Sequence, residues 1–180
     1  MKKKIFIFFF LLLTFLFANF TQLNAGGIKL GYVNLKKVVV KSLPGIKAKE
    51  EITREMNKIN KKLEEMRKEI DQLQNLIDKQ RNVLSPEALR EKEKLYQLKA
   101  KNYKRFYQDS QDELHSKELD KISEIQKDAL KVIREIAKRE GYTFIFEVKD
   151  FIYGIKALDI TDQAIKELNK YYKKKQAGKK

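Results

Sequence analysis

Hydrophobic residues recur at a heptad spacing in the first half of the chain. Successive apolar positions are alternately four and three residues apart, at Ile52, Met56, Ile59, Leu63, Met66, Ile70, Leu73 and Ile77. We call these residues the heptad stripe, and Gln80 and Leu84 extend its spacing. An average period of about 3.5 residues predicts a helix that supercoils against a partner, because a helix on a globular core shows a wider apolar stripe.

The partner helix is predicted in the segment that follows. Ser85-Pro86-Glu87 offers a capping serine, a proline suited to the first helical position and an acid in the first turn. Gly141 is the residue type that ends helices in the left-handed conformation. We therefore predict an antiparallel coiled-coil hairpin over residues 46–141 with its tip near 84–86. At about 1.5 Å per residue, its arms would be roughly 58 Å and 80 Å long.

The second arm changes character along its length. Its last third is the most apolar part and could face both a helix and a small sheet, with Ile122, Ile125, Ala129, Leu130, Val132, Ile133, Ile136 and Ala137. Residues 108–121 are mostly polar, and Leu114 and Leu119 are their only aliphatic side chains. We expect this middle stretch to be loosely packed or solvated, and a specific polar site there is the less favoured alternative.

The segment before the hairpin predicts a strand and a short helix. Residues 28–35 alternate apolar and polar side chains, which is typical of a strand. Residues 36–42 fit a short helix, although three consecutive valines disfavour it. Leu43-Pro44-Gly45 is expected to form a turn before the long helix.

The segment after Gly141 predicts a β-hairpin and a last helix. Residues 142–148 and 151–156 are expected to be its strands, with a tight turn between them. Asp159 or Thr161 would cap an amphipathic helix. The inner face of that helix would carry Ala164, Ile165 and Leu168.

This α+β body, formed by residues 26–45 and 142–180, is too small to bury a sizeable core alone. Open sheet edges invite pairing with other copies. We infer an oligomer joined at the sheet end, with the hairpins projecting away from it. The apolar residues assigned to this oligomerisation body are Ile28, Leu30, Tyr32, Phe144, Phe146 and Val148.

Residues 1–25 have the pattern of a secretory signal peptide. Three lysines precede an uncharged run rich in Phe and Leu from Ile5 to Phe20, and Ala25 marks the predicted cleavage point. The run is shorter than the about 20 residues that span a bilayer. An uncleaved membrane anchor is the alternative.

Charge and cysteine content narrow the class of protein. The chain has no cysteine, so an exported form would depend on helix packing and association for stability. Loss of the signal lysines lowers the formal net charge from +15 to +12. Residues 85–107 hold seven basic and three acidic side chains, whereas residues 108–121 hold five acids and two lysines. Most of these charges solvate exposed helices, but the basic field could attract acidic chains, anionic membrane or lipopolysaccharide.

Catalytic chemistry has little basis in this sequence. The only histidine is His115, in a charged helix, and no glycine-rich phosphate loop or nucleophile beside a base is present. We therefore predict no enzyme activity, no metal site and no cofactor.

The order of elements resembles the Skp (OmpH) family of periplasmic chaperones. The resemblance spans the chain after the signal peptide and depends on three segments around the hairpin: Lys29-Leu30-Gly31-Tyr32-Val33-Asn34-Leu35, Tyr142-Thr143-Phe144-Ile145-Phe146-Glu147-Val148 and Leu158-Asp159-Ile160-Thr161-Asp162. It implies a homotrimer whose strands form a central body. Its three hairpins would enclose a cavity that holds unfolded outer-membrane β-barrel proteins in the periplasm without ATP.

The second arm carries the predicted client contacts. Seven apolar side chains in residues 85–107 exceed what a narrow coiled-coil contact can cover, and Leu95 and Leu98 are among them. The residues assigned to client binding are Leu89, Tyr96, Lys99, Tyr103, Lys104, Arg105, Phe106 and Tyr107. The lipopolysaccharide-binding basic cluster proposed for some family members is not carried over, because residues 108–113 are acidic here.

Two other classes of protein fit parts of the pattern. A basic coiled coil could bind nucleic acid, but the export signal argues against nucleic acid as the biological partner. A structural coiled-coil spacer of the cell envelope is the closer alternative. The polar interruption at residues 108–121 speaks against a rigid rod.

Overall fold

Two long antiparallel helices dominate the computed structural model, which describes residues 27–178. The predicted signal peptide lies outside the described residues. The elements are β1 (Leu30–Val33), α1 (Leu35–Lys41), α2 (Leu43–Gln80), α3 (Pro86–Glu140), β2 (Phe144–Glu147) and α4 (Thr161–Ala177), with 3-10 turns at Val148–Asp150 and Lys156–Leu158. None of the helices between residues 27 and 178 is apolar over enough of its length to cross a bilayer.

The predicted hairpin is present as α2 and α3. Leu63 and Ile77 of the heptad stripe are buried between the two helices, and most of the others are half-buried, whereas Met56 is exposed. Ion pairs across the arm link Lys121 with Glu51 at 2.7 Å and Lys99 with Glu69 at 2.7 Å. We call this antiparallel pair of helices the arm.

Both ends of the first arm helix differ from the prediction. Leu43-Pro44-Gly45 is the first turn of α2 and not a separate turn, because Ser42 caps the helix and its hydroxyl accepts the Gly45 N–H at 3.4 Å. Pro44 fits there since the first helical N–H groups have no partner in the helix. At the tip α2 ends at Gln80, whose carbonyl accepts the N–H groups of residues 83 and 84. Leu84 therefore lies in the turn and does not extend the helix.

The second arm helix begins and ends as predicted. The Ser85 hydroxyl accepts the Ala88 N–H at 3.2 Å at its start. Gly141 ends the helix with a φ of 71°, and the N–H of Tyr142 reaches back to the Ala137 carbonyl. Because α3 is longer than α2, its C-terminal third lies in the body.

The body core forms where this end of α3 meets α1 and α4. The predicted apolar third supplies Ile125, Ala129, Val132, Ile133 and Ile136 as buried residues. The other elements add buried side chains from β1, α1 and α4, namely Val33, Leu35, Val38, Val39, Ile160, Ala164 and Leu168. The predicted short helix and the inner face of the last helix are thus both confirmed.

A two-stranded parallel sheet closes the body. Leu30 pairs with Phe144, and the register continues to Val33 and Glu147. The predicted strands at residues 28–35 and 142–148 are present but shorter. β1 precedes the arm and β2 follows it, so the sheet joins the two segments of the chain that flank the arm.

The predicted strand at residues 151–156 is absent from the described structure. The second edge of β1 is occupied by a bridge between Tyr32 and Asp159 and by the Ile160 N–H, which donates to the Tyr32 carbonyl at 2.9 Å. Phe151 instead packs its ring edge-on against Tyr32, with centroids 4.9 Å apart. The segment therefore contacts the sheet through side chains, and no strand of a β-hairpin forms.

Gly45 lies where α2 crosses α1 at close range. A Cβ atom at this position would be 1.9 Å from the Val39 backbone oxygen. Because this backbone is fixed between two helices, we expect Gly45→Ala to lower the free energy of unfolding by about 3 kcal/mol or more. Urea unfolding followed by circular dichroism measures this. Gly27→Ala is the control, since no atom lies within 4 Å of its Cβ position, and equal stability of the two variants would contradict the close approach.

Candidate functional site: apolar surfaces of the sheet and the arm

One face of the small sheet is apolar and uncovered. Strand alternation turns Gly31, Val33 and Ile145 toward the core. The opposite face carries Phe144, which is 56% exposed, and Phe146, which is 46% exposed, with their rings stacked 6.1 Å apart. Large exposed apolar patches on a folded chain mark interaction sites.

This surface contains every residue predicted for the oligomerisation body. We define the sheet face as Leu30, Tyr32, Phe144 and Phe146, with Ile28 and Val148 at its two ends. Tyr32 is half-buried and the other five are exposed. The structure thus brings these six side chains together, although they come from opposite ends of the chain.

The segment after β2 adds apolar residues that the sequence did not single out. Ile152, Tyr153 and Ile155 are largely exposed. They lie where a strand was predicted. Their exposure enlarges the uncovered apolar area near the sheet.

On the arm, the predicted client-binding residues divide into two groups. Leu89, Tyr96 and Tyr103 are half-buried, and Ser110, the next position at the same spacing of seven residues, is buried. Residues seven apart lie on one stripe of a helix. These three apolar side chains therefore point toward α2 and contribute to the arm contact.

The outward apolar surface of the arm consists of different residues. Leu95 is 44% exposed, Leu98 is 54% exposed and Tyr107 is 48% exposed. Phe106 is half-buried. We call these three outward side chains, Leu95, Leu98 and Tyr107, the arm flank. Leu95 and Leu98 lie on one side of α3, and Tyr107 lies on the other side, because nine residues turn a helix by two and a half turns.

The residues assigned to client binding did not include Leu95 and Leu98. The seven-residue spacing of Leu89, Tyr96 and Tyr103 could have identified them, because it marks the stripe that faces α2 and leaves Leu95 and Leu98 outside it.

The basic side chains of the assigned set also differ in their surroundings. Lys99 donates to Glu69 across the arm at 2.7 Å, and this hydrogen bond lowers the pKa of the Glu69 carboxyl. Lys104 and Arg105 are exposed beside Tyr107. The arm flank thus presents exposed apolar side chains among positive charges on two sides of α3.

The polar middle of the arm is solvated but linked across the helices. Lys117 donates to Glu113 and Glu55, and these carboxylates raise the pKa of its ammonium group. Lys121 likewise lowers the pKa of Glu51 through a hydrogen bond. Most side chains of residues 108–121 are exposed, which agrees with the expected solvation of this stretch. The ion pairs show that the two helices stay in contact there.

His115 is exposed in this polar middle. Across residues 27–178 no group of His, Asp and Glu side chains has the arrangement of a metal site.

An apolar groove lies where the arm joins the body. It encloses about 360 Å³ between α1 and α3, beside the end of β2. The exposed side chains of Val40 and Ile122 form its rim. A chain passing from the arm flank toward the body would meet further apolar surface there.

Comparison with known proteins agrees with this architecture. The chain resembles a crystal structure from Caulobacter crescentus, described as a candidate outer membrane chaperone (OmpH-like), with a TM-score of 0.76 and 19% sequence identity. The match covers 79% of this chain and 84% of that one, and at this identity it establishes the fold. Comparison with curated proteins gives no match. The model of the family described as outer membrane protein (OmpH-like) matches residues 29–168. The chain therefore belongs to the OmpH-like family.

Proposed function

We propose that this protein is a periplasmic holdase chaperone that binds unfolded outer-membrane β-barrel proteins and keeps them from aggregating in transit. The observation that carries the proposal is the arm flank, where Leu95, Leu98 and Tyr107 are exposed among lysines and arginines. Membership of the OmpH-like family supports the same class of function. Export by a cleavable signal peptide over residues 1–25 is part of the proposal.

The chemistry of the client explains why such a surface is suitable. An unfolded barrel strand alternates apolar and polar residues, so it has no compact feature for a rigid pocket to recognise. A long helix with scattered apolar and charged groups offers many weak contacts instead. Several arms that share one client raise the overall affinity without any single tight contact.

Such sharing requires that several arms be joined at one end. We infer that copies associate through the sheet face as a homotrimer, with the arms around a common cavity. The exposed Phe144 and Phe146 support this inference, because burial of their rings would stabilise association.

Release of the client needs no nucleotide in this proposal. The sequence has no glycine-rich phosphate-binding loop, and folding of the client in the outer membrane would draw it from the weak contacts of the arms. The basic surfaces could bring the complex to anionic membrane or lipopolysaccharide.

Dilution of an unfolded client tests the function directly. A urea-unfolded outer-membrane β-barrel protein is diluted into buffer with and without the chain from Gly26 onward. Light scattering then reads the mass of the soluble complex. We expect a soluble complex of about one client per oligomer, because multivalent weak contacts hold the chain in solution. Precipitation of the client beside a folded oligomer would instead favour a structural spacer of the envelope.

A further inference from the structure

The last two turns of α4 contact the base of both arm helices. The first half of α4 is anchored in the body core by Thr161, Ala164 and Leu168, which are all buried. Between residues 169 and 178 no side chain is buried. Tyr171 packs against the edge of the core, and the contacts of this end of α4 with the arm include hydrogen bonds, ion pairs and contacts between a cation and a ring.

Two of these contacts hold the start of α2. The Asn169 side-chain oxygen accepts the N–H of Leu43, the first residue of α2, at 2.6 Å. One turn further along, the Lys47 ammonium lies 5.5 Å from the centroid of the Tyr172 ring. The end of α4 is thereby tied to the first arm helix.

Lys175 ties the same end of α4 to the second arm helix. Its ammonium donates to Asp128 at 2.9 Å and to Glu124 at 3.0 Å, one turn apart on α3. These carboxylates raise the pKa of Lys175, so the side chain stays charged at neutral pH. Lys131 of α3 adds a contact with the Tyr171 ring at 5.0 Å.

The arm helices pack thinly against each other at this level. Ala48 of α2 and Ile125 of α3 line clefts on both sides of their contact. The cleft on one side reaches Tyr172 and Lys175, and the cleft on the other is lined by Val40 and Ile122. A small side chain with open space on both sides gives little resistance to tilting of the arm.

We propose that Lys175 is a positioning residue that, with Asn169 and Tyr172, braces the base of the arm and fixes the direction in which the arm leaves the body. The body core fixes the first half of α4 and residues 125–136 of α3. The brace joins the end of α4 to the start of α2 and to the part of α3 where the arm leaves that core. The pairs of Lys175 are partly exposed, so salt screens them and the arm direction becomes sensitive to ionic strength. The inference concerns the arm itself and does not depend on the client.

Distance measurements between spin labels test the brace. Because the chain has no cysteine, Lys36→Cys in the body and Gln97→Cys on the arm provide two defined label sites. Labelled chains diluted with excess unlabelled chains report distances within one copy. Pulsed electron paramagnetic resonance should show a narrow distance distribution for the otherwise unchanged chain. Lys175→Glu should widen it at least twofold, since the new charge repels both carboxylates.

Matched variants separate positioning from general stability. Lys173→Glu makes the same charge change at an exposed position of α4 and should leave the distribution unchanged. Lys175→Gln removes the charge without repulsion and should widen the distribution less. Addition of Asp128→Lys to the Lys175→Glu variant restores a pair of opposite charges and should narrow the distance distribution again. The thermal unfolding midpoint should stay the same in all of them, because the core residues of α4 are retained.

Two outcomes would overturn the proposal. One is an unchanged distribution in both Lys175→Glu and Lys175→Gln. The other is equal widening by Lys173→Glu, which would assign the effect to net charge. If Lys175→Glu lowers the unfolding midpoint, the distance distributions of Lys175→Gln and Lys173→Glu are compared instead. The proposal then requires that Lys175→Gln widen the distribution more than Lys173→Glu does.

Discussion

Replacement of Phe144 and Phe146 by Asp is expected to convert the proposed oligomer into monomers. Each ring is about half exposed, so its burial on association contributes up to about 1.5 kcal/mol, and loss of both rings removes up to about 3 kcal/mol per copy. At about 1.4 kcal/mol for each factor of ten, this alone weakens association by up to about 100-fold, and the cost of burying two carboxylates weakens it further. Sedimentation velocity measures this as a shift to the mass of a single chain, which is 21.3 kDa before any processing.

The same variant should keep its fold. Both rings point away from the core, so the helix signal in circular dichroism should remain. Tyr107→Asp introduces one carboxylate, where the double variant introduces two, at an exposed aromatic residue on the arm and should leave the association of copies unchanged. A double variant that sediments like the unchanged protein would show that copies do not associate through the sheet face.

Replacement of the arm flank is expected to abolish most of the holding activity. Leu95→Ser, Leu98→Ser and Tyr107→Ser together remove three partly exposed apolar side chains, each of which contributes up to about 1.5 kcal/mol when a client covers its exposed half. In the proposed complex several arms contact one client, so the loss multiplies, and we expect at least a tenfold rise in the chaperone concentration needed to prevent aggregation. Light scattering of a diluted β-barrel client measures that concentration.

Two comparisons give this experiment its specificity. Leu119→Ser changes an exposed leucine in the acidic middle of the arm and should preserve holding. Tyr96→Ser with Tyr103→Ser should act differently, because these rings are half-buried toward α2 and their loss destabilises the arm itself. Full holding by the arm-flank variant, with an intact oligomer, would exclude this surface as the client-binding site.

The long helices could be predicted because their signals are local and repeated. The heptad stripe, the Ser85 cap and Gly141 each specify a helix or its end within a few residues. Periodicity also located the sheet face, since Leu30, Tyr32, Phe144 and Phe146 occupy alternate positions of their strands. The sequence pattern alone did not show that the two strands are parallel neighbours.

The errors arose where a tertiary contact outweighs a local preference. Residues 151–156 have the composition of a strand, but a 3-10 turn follows β2 at Val148–Asp150, and Phe151 packs against the Tyr32 ring of β1. Leu43-Pro44-Gly45 has the composition of a turn, yet the Ser42 cap and the close crossing with α1 place it in a helix. On the arm, the rotation of α3 relative to α2 decides which of its side chains face α2. The sequence pattern did not show that Tyr96 and Tyr103 face α2 whereas Leu95 and Leu98 face solvent.

The parallel pairing of β1 with β2 has a consequence for the order of folding. The hydrogen bond from the Lys29 N–H to the Thr143 hydroxyl joins residues 114 positions apart, whereas the arm closes through a turn of a few residues. Contacts of such high sequence separation carry a large loop-closure cost and form late, after local helical contacts have shortened the loop. The arm therefore folds first, and β2 reaches β1 only when nearly all of the chain is available. A chain whose C-terminal part is not yet available can already have a folded arm while it still lacks the paired strands and the sheet face that they form.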